Sequence, residues 1–572
     1  MRRNMIRERR VEMGSIILLS IIIAFGTAVL VVPLTGGNEK GKPYITGKGK
    51  FFISIVAVVF IVAVIVYYVT NIDRNWTALW PLFMITTLFG FFLADGKERL
   101  IKGVLFLGSL IVAVYMLSAP LWNANEKYKV AKMDQKVDIE PFDEKEKPAS
   151  VPPKFARNKM KKAFGQVPNA SYYELGNLQI QKVKGEYVYI APVEFSGFFK
   201  WWKGKVTPGY FMMSATNADD NPKFVKREMA YTPSSFFQKN VERHMRLKYP
   251  TKIFYGDPQL EIDDEGKPYY IRTYGHFISA RNGFQTTGVV VVDPATGATK
   301  SYSLKKVPAF IDGAVSPEAV SLQNRYFGKY VHGFWNSIFG KRDVKLPTDE
   351  GTEANVSPVF DDHGNMYYFT DFTSPKKDVD SMLGYSLTNG RTGKATYYTG
   401  NLQESYMDSQ GDLQIIEKKF IEKKWKGSMP ILYNFYGEAS WLTPVLDSNG
   451  FLQKYFIVSA ANPEVSVYAD TPNEALKMYK TALQRSDSTV NGSSKADAKT
   501  VAGTVVRVFK ERVGDYTNVS FLLNNKENFV VSSELVPLAI YLQPGDRVNV
   551  KYLNTGELFL PVKEMTIKGL EK

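Results

Sequence analysis

Four histidines, His244, His276, His332 and His363, are the only imidazoles in this 572-residue chain, and cysteine is absent. A thiolate nucleophile, a thiolate metal site, a disulfide and a lipidated cysteine are therefore excluded. The histidines lack metal-ligand spacing, so each reads as a surface or structural residue. Acidic side chains cluster at Asp263, Asp264 and Glu265, and again at Asp361 and Asp362. Such clusters could hold a cation weakly, but neither carries the Glu that ends a calcium loop. Asp263 and Asp361 each precede a Gly by three residues, which reads as turn-forming acids on hairpins. The segment 36–42 (GGNEKGK) approaches a phosphate-binding loop. Pro43 stands where Ser or Thr is needed, and no strand precedes it. No metalloprotease helix motif and no G-x-S-x-G elbow occurs. The chain predicts no catalytic residue, no cofactor and no metal site.

The segment 195–205 (FSGFFKWWKGK) is better suited to contact than to catalysis. Phe198, Phe199, Trp201 and Trp202 are interleaved with Lys200, Lys203 and Lys205. One reading tucks these rings into a core as a hairpin tip. The other sets them at the lipid headgroup level, where indole and ammonium groups are both favoured.

The elements that must position such a segment begin with four apolar runs, at 15–34, 51–70, 77–94 and 100–119. A helix needs roughly 20 apolar residues to cross a bilayer core. Each run meets or nearly meets that length, which predicts four membrane-spanning helices. Lys102 is the one charge inside them and lies near an end, where it can snorkel. No acid or histidine lies mid-span, which argues against an ion or proton pathway. Gly90, Gly103 and Gly108 are candidates for close helix contact. With the N-terminus inside, Arg2, Arg3, Arg7, Arg9, Arg10, Arg74, Lys127, Lys129, Lys132 and Lys136 fall on the cytoplasmic side. Lys40, Lys42, Lys48, Lys50, Lys97, Arg99 and Lys102 fall opposite. Ten against seven predicts a cytoplasmic N-terminus and, with an even number of spans, a cytoplasmic C-terminal part.

Downstream the chain repeats itself. LEIDDEGKPYYI (260–271), PVFDDHGNMYYF (358–369) and PVLDSNGFLQKYFI (444–457) each pair an Asp with a Gly three residues on. An aromatic-rich strand follows in each case, so each reads as a hairpin. A second turn follows at DPATGATKSY (293–302) and NGRTGKATYY (389–398). Gly266 and Gly297 are 31 residues apart, and Gly364 and Gly393 are 29 apart, so the unit is about one small sheet. Helices are predicted before these sheets at 153–165, 233–249 and 317–339, with Pro233 and Pro317 as start signals. The segment 172–225 reads as an earlier, diverged copy. This helix-then-hairpins layout resembles the PepSY family, chiefly in MRLKYPTKI, EIDDEGKPYYIRTYG and GVVVVDPATGATKSY. The resemblance implies small α+β domains that bind or inhibit rather than catalyse, often in envelope proteins. The stretch around Trp335 departs from that pattern.

A linker is predicted at 486–499, then a compact β unit at 500–572 with five short strands, similar to an OB or SH3-like barrel. Nine basic and eight acidic residues between Val501 and Lys572 leave it nearly neutral. Single-stranded nucleic acid needs a basic groove, so nucleic acid is not an expected partner. The formal charge of +15 is scattered and reads as solvated surface.

The predicted fold is α+β: a four-helix transmembrane anchor at 1–120, a charged juxtamembrane linker at 121–152, and α+β modules at 153–232, 233–312 and 313–400. A fourth, β-rich module with a terminal helix occupies 401–485, ahead of the linker and the barrel. The expected function is a non-enzymatic membrane scaffold or binding protein that presents these modules for protein–protein assembly. Membrane lipid, a protein partner and further copies of the chain are the expected contacts. An oligomeric channel and a membrane-bound enzyme with an unfamiliar site are the alternatives. The lysine-rich, cysteine-free, repeat-bearing character is similar in style to envelope proteins of Gram-positive bacteria or their large phages.

Overall fold

The computed structural model describes residues 2–34, 45–137, 151–349, 351–352, 356–361, 363–376, 381–400, 405–485, 498–513, 516–553 and 558–570. The loop 36–42, Asp362, most of the charged stretch 138–152 and residues 486–497 of the expected linker lie outside them. About 37% of the chain is helical and 35% is in strands.

Four helices come first: α1 (Arg2–Val31), α2 (Ile45–Val69), α3 (Trp80–Leu93) and α4 (Gly96–Trp122). The stretches long and apolar enough to cross a membrane are Gly14–Val31, Lys48–Val69, Trp76–Leu93 and Gly96–Trp122. Much of α2 is β-branched, a poor helix sequence in water. In hydrocarbon no solvent can satisfy the backbone, so the helix is the available solution. Their main contacts run in the row α2–α1–α3–α4, and Leu18, Ile53, Leu100, Ile111 and Leu117 face outward. Gly90 of α3 lies against the backbone of Leu30, where a Cβ would sit 2.0 Å from the Leu30 carbonyl oxygen. Gly103 meets the Phe91 ring, whereas Gly108 meets nothing within 4 Å and is no contact residue. Lys102 does not snorkel. It is buried, donates to the Val32 carbonyl at 2.9 Å and pairs with Glu98 at 2.8 Å. Glu98 in turn accepts from Leu34 N at 2.8 Å, so the pair closes the C-terminal end of α1.

The chain does not become a linker at residue 121. A short helix, Ala124–Val130, continues from α4, and Asp134–Lys136 forms a strand parallel to Ala395–Tyr398. Ala131 and Met133 bury against Phe327, Phe372 and Tyr397, an apolar anchorage that the charge count obscured.

Four sheets with an antiparallel five-strand layout in common follow, the third extended by the parallel strand Asp134–Lys136 and by Tyr406–Met407. In each, two short strands line successive halves of a long central strand, whose other edge carries a hairpin partner and then a last short strand. The central strands are Glu186–Phe195, Pro268–Ser279, Met366–Thr373 and Glu438–Leu446. Helices Pro153–Lys162, Val241–Lys248, Pro317–Lys329 and Ser409–Lys419 precede them in turn. The second is shorter than the predicted 233–249, because Asn240 caps the helix through Arg243 N and residues 233–236 stay out of it. The third stops at Lys329, ten residues early, and Gly333 (φ +81°) turns the chain.

The three Asp-x-x-Gly motifs close identical turns: Asp263, Asp361 and Asp447 each accept two backbone N–H groups within four residues. They are not equivalent in the layout, however. Asp263 and Asp361 precede the central strand, whereas Asp447 follows it. In the fourth sheet the preceding turn is Tyr436-Gly437, both at positive φ.

A hydrogen bond recurs where one sheet meets the next. On the central strands, Glu194, Thr273 and Asp371 accept from the backbone N–H of Ser234, Ser316 and Ser409 at 3.2, 2.8 and 3.0 Å. Each serine opens the helix-bearing segment of the following sheet. At the second boundary, Glu261 accepts from Asp312 N and Gly313 N at 2.9 and 2.8 Å; at the first, Gln181 bonds the Ile262 backbone through both its amide atoms.

The last unit is a closed five-strand barrel, Ala498–Val513, Tyr516–Leu523, Asn528–Ser532, Phe559–Ile567 and Arg547–Leu553 in spatial order. Strands Asn528–Ser532 and Phe559–Ile567 run parallel, and the other neighbouring pairs run antiparallel. Phe521, Phe529 and Val531 are among its fully buried residues.

The buried carboxylates leave a pH signature. Burial pushes Asp412 up to about 7; the Thr443 hydroxyl, 2.6 Å away, opposes this, and nearby Asp371 reinforces it. Its protonated form is thus favoured on folding. That stabilisation is complete below the unfolded value of 3.8 and is lost as pH rises through about 7. Asp412→Asn therefore raises the melting temperature relative to the parent chain at about pH 8, with a smaller gain at about pH 5, in thermal unfolding of the detergent-solubilised protein.

Candidate membrane-facing interface

The segment that carries the expected contact residues is a seven-residue helix, Phe198–Gly204, bracketed by Gly197 (φ +140°) and Lys205 (φ +64°). It divides its aromatic rings between two environments. Trp201 is 8% exposed, whereas Phe199 is 78% and Trp202 55% exposed. Phe198 stands between, 5.9 Å from Trp201 and 6.0 Å from Trp202 by ring centroids. The segment is therefore neither a wholly tucked hairpin tip nor a free loop. Lys200 donates to Ser196 Oγ at 2.6 Å, Lys203 is exposed, and the Lys205 ammonium lies 5.3 Å from the Trp202 ring centre.

Sequence reading missed half of this site. Phe236 and Phe237 pack on Phe198 and Trp201 with centroids 5.1–6.0 Å apart. A helix at 233–249 would have hidden them on a helix face. Instead Ser234 is held on the central strand by Glu194, which accepts from both its N–H and its hydroxyl, and Ser234 Oγ accepts from Phe195 N at 2.8 Å. Tyr270 O–H also donates to Glu194, at 2.5 Å. Burial drives the Glu194 carboxyl upward against those donors. The available signal was an acid in an otherwise apolar strand, YVYIAPVEF, which demands a buried donor partner.

This cluster adjoins the ends of the membrane helices. Arg243 donates from Nη1 to Phe237 O at 2.8 Å and from Nε to Tyr68 O at 2.7 Å, with its guanidinium 4.6 Å from the Tyr68 ring centre. Arg246 donates to Asn71 O at 2.8 Å and to Lys252 O at 2.5 Å, and burial lowers its pKa to about 10. The two arginines satisfy carbonyls at and just beyond the C-terminal end of α2, a position that also favours cations. Leu247 buries with Ile16, Ile23, Ala63 and Tyr67. Arg281, at the tip of a long hairpin, pairs with Asp73 at 2.6 Å. Burial would raise the Asp73 carboxyl, but the bonds from Arg281 and Asn75 outweigh it and hold the carboxyl below its usual value. Asn123, just after α4, reaches Asn282 on the same hairpin. The soluble body therefore sits on the ends of α1, α2 and α4, on the face where the apolar part of α1 begins.

The other singled-out residues stand apart. His244 Nε2 lies 2.8 Å from Gly297 O, His332 pairs with Asp343, His276 is exposed, and His363 N bonds Asp361. Among the described residues no group of three or more His, Asp or Glu side chains is placed to hold a metal ion.

No family model matches this chain, and no curated protein matches it. Among solved structures, Trypanosoma rangeli sialidase in complex with the inhibitor DANA aligns at 11% identity over 70% of this chain and 55% of that chain, with a TM-score of 0.16. A second sialidase aligns at 10% identity over 70% of this chain and 44% of that chain, with a TM-score of 0.13. The chain thus spans about half the length of these structures. Scores this low do not show a shared fold.

The division of the aromatic helix has a direct consequence. Trp201→Ala costs about 3–5 kcal/mol by emptying a packed site. Trp202→Ala changes stability by no more than about 0.5 kcal/mol, as expected of an exposed side chain. Chemical unfolding of both variants in detergent checks the difference.

Proposed function

We propose that this chain is a membrane-anchored, non-enzymatic scaffold that holds repeated α+β modules and a small terminal barrel against the membrane face for protein–protein assembly. The observation that carries the reading is the fixed junction. Arg243, Arg246 and the Arg281–Asp73 pair lock the soluble body to the helix ends. A body held in this way presents its sheet edges and barrel at set heights above the bilayer, which suits assembly with neighbours. The shared layout of the four sheets supports a PepSY-like repeat, and stacked repeats commonly supply extended binding surfaces. The serine contacts between successive sheets support one continuous surface rather than separate beads.

In this reading the exposed face of helix Phe198–Gly204 rests on lipid headgroups, with Phe199 and Trp202 entering the interface and Lys203 meeting anionic lipid. The soluble body lies in the cytoplasm, the side favoured by the basic flanks of the spans.

Crosslinking of the full-length chain in its native membrane, followed by native mass measurement, tests the assembly. A stoichiometric complex with itself or a protein partner is the expected result. A lone monomer with no crosslinked neighbour overturns the scaffold reading. Protease cleavage within the barrel in inverted vesicles but not in intact cells is expected for the cytoplasmic placement, and the reverse pattern contradicts it.

A further inference from the structure

The stretch around Trp335 has no part in the sheet layout and none in the junction described above. It follows Gly333 as a helical turn, Gly333–Trp335, and then a wider turn, Asn336–Gly340, closed by Lys341 N donating to Asn336 O at 2.6 Å. The Asn336 side chain cinches the turn twice, donating to Arg342 O at 2.9 Å and accepting from Arg342 N at 3.1 Å. This stiff turn carries its apolar rings outward. Trp335 is 62% and Phe339 76% exposed, Ile338 is exposed beside them, and the two rings stack 5.9 Å apart. Lys341 and the strongly exposed Arg342 follow at once. The acid at hand, Asp343, is engaged by His332 and Arg342.

Position gives this patch its meaning. A Cβ at Gly333 would lie 2.9 Å from Asn125 Oδ1, so the turn abuts the chain three residues beyond Trp122. Three residues of helix span about 5 Å. Trp122 and, just ahead of α3, Trp76 are themselves exposed at this end of the membrane helices, where aromatic belts mark the headgroup level. The turn lies against α4 and the helix after it. The aromatic helix at Phe198–Gly204 reaches instead the end of α2, through Phe237 and Arg243. In the row α2–α1–α3–α4 these are the two opposite ends.

We propose that residues 333–342 form a second foot that inserts Trp335, Ile338 and Phe339 into the headgroup region of the bilayer beside α4, with Lys341 and Arg342 on lipid phosphates. The occupant is the lipid surface because the turn packs against the end of α4 that carries exposed Trp122, and because a rigid, ring-bearing turn flanked by bases is the composition that headgroups accept. Two feet at opposite ends of the helix row keep the soluble body from tilting. The inference rests on the membrane-face reading of the body and goes beyond it.

Because the chain lacks cysteine, one introduced thiol takes a spin label uniquely. Ile338→Cys is labelled in the full-length protein in anionic nanodiscs, leaving the Trp335–Phe339 pair intact. Asn525→Cys, on an exposed barrel turn, is the aqueous reference, and Val62→Cys, on the outer face of α2, is the hydrocarbon reference. The label at Ile338 is expected to collide with a water-soluble relaxation agent about fivefold less than that at Asn525, as an interfacial depth requires. Trp335→Ser with Phe339→Ser in the same background is expected to abolish that shielding. Equal accessibility at Ile338 and Asn525, or shielding that survives the double substitution, overturns the second foot. An aqueous signal at Val62 overturns the membrane-face reading together with it.

Discussion

The architecture depends on how the backbone carbonyls at the ends of the membrane helices are satisfied. Hydrocarbon offers them nothing, and a buried carbonyl without a donor costs as much as a lost hydrogen bond. Here the donors are basic side chains from elsewhere in the chain. Lys102 serves the end of α1, while Arg243 and Arg246 serve Tyr68 and Asn71 at the end of α2. The second arrangement has the larger consequence, since both arginines belong to the soluble body. By completing α2 they also orient everything that follows. Burial lowers the Arg246 pKa to about 10, which leaves it fully charged at neutral pH, so its several carbonyl partners keep their charged donor.

A second device carries that orientation along the chain. Glu194, Thr273 and Asp371 occupy corresponding places on three central strands, and each accepts from a serine N–H that begins the next helical segment. A neutral hydroxyl and two carboxyls do the same task, so the geometry rather than the charge is what repeats. The two acids are wholly enclosed, and burial raises both carboxyls above their usual range against the donors around them. Partnerless, either carboxylate would be strongly destabilising; partnered, it fixes which serine can dock. The parallel strand Asp134–Lys136 adds a further tie, joining the chain beyond α4 to the third sheet.

The differences between the sequence reading and the structure have physical causes. Charged residues near 121–137 suggested a linker, but Ala131 and Met133 are enough to seat the segment on an aromatic core. Pro233 suggested a helix start, yet Asn240 is the better cap, and the turn and short 3-10 helix before it place Phe236 and Phe237 where Trp201 needs them. The Asp447 turn shares the Asp and the Gly of its two predecessors and still belongs to the next hairpin. An Asp-x-x-Gly turn is a local solution that suits either end of a strand.

The four long apolar helices, the mixed helix-and-sheet character and the five-strand barrel were legible in the chain, because apolar run length, alternation and turn residues act over neighbours in sequence. The aromatic and basic character of 195–205 was legible for the same reason. Which ring of that segment is buried, which serine meets which acid, and that Arg281 finds Asp73 some 208 residues earlier were decided by tertiary structure. Those pairings depend on the register of whole strands and the position of whole helices, and a contact between distant residues leaves no periodic trace in either partner's neighbourhood.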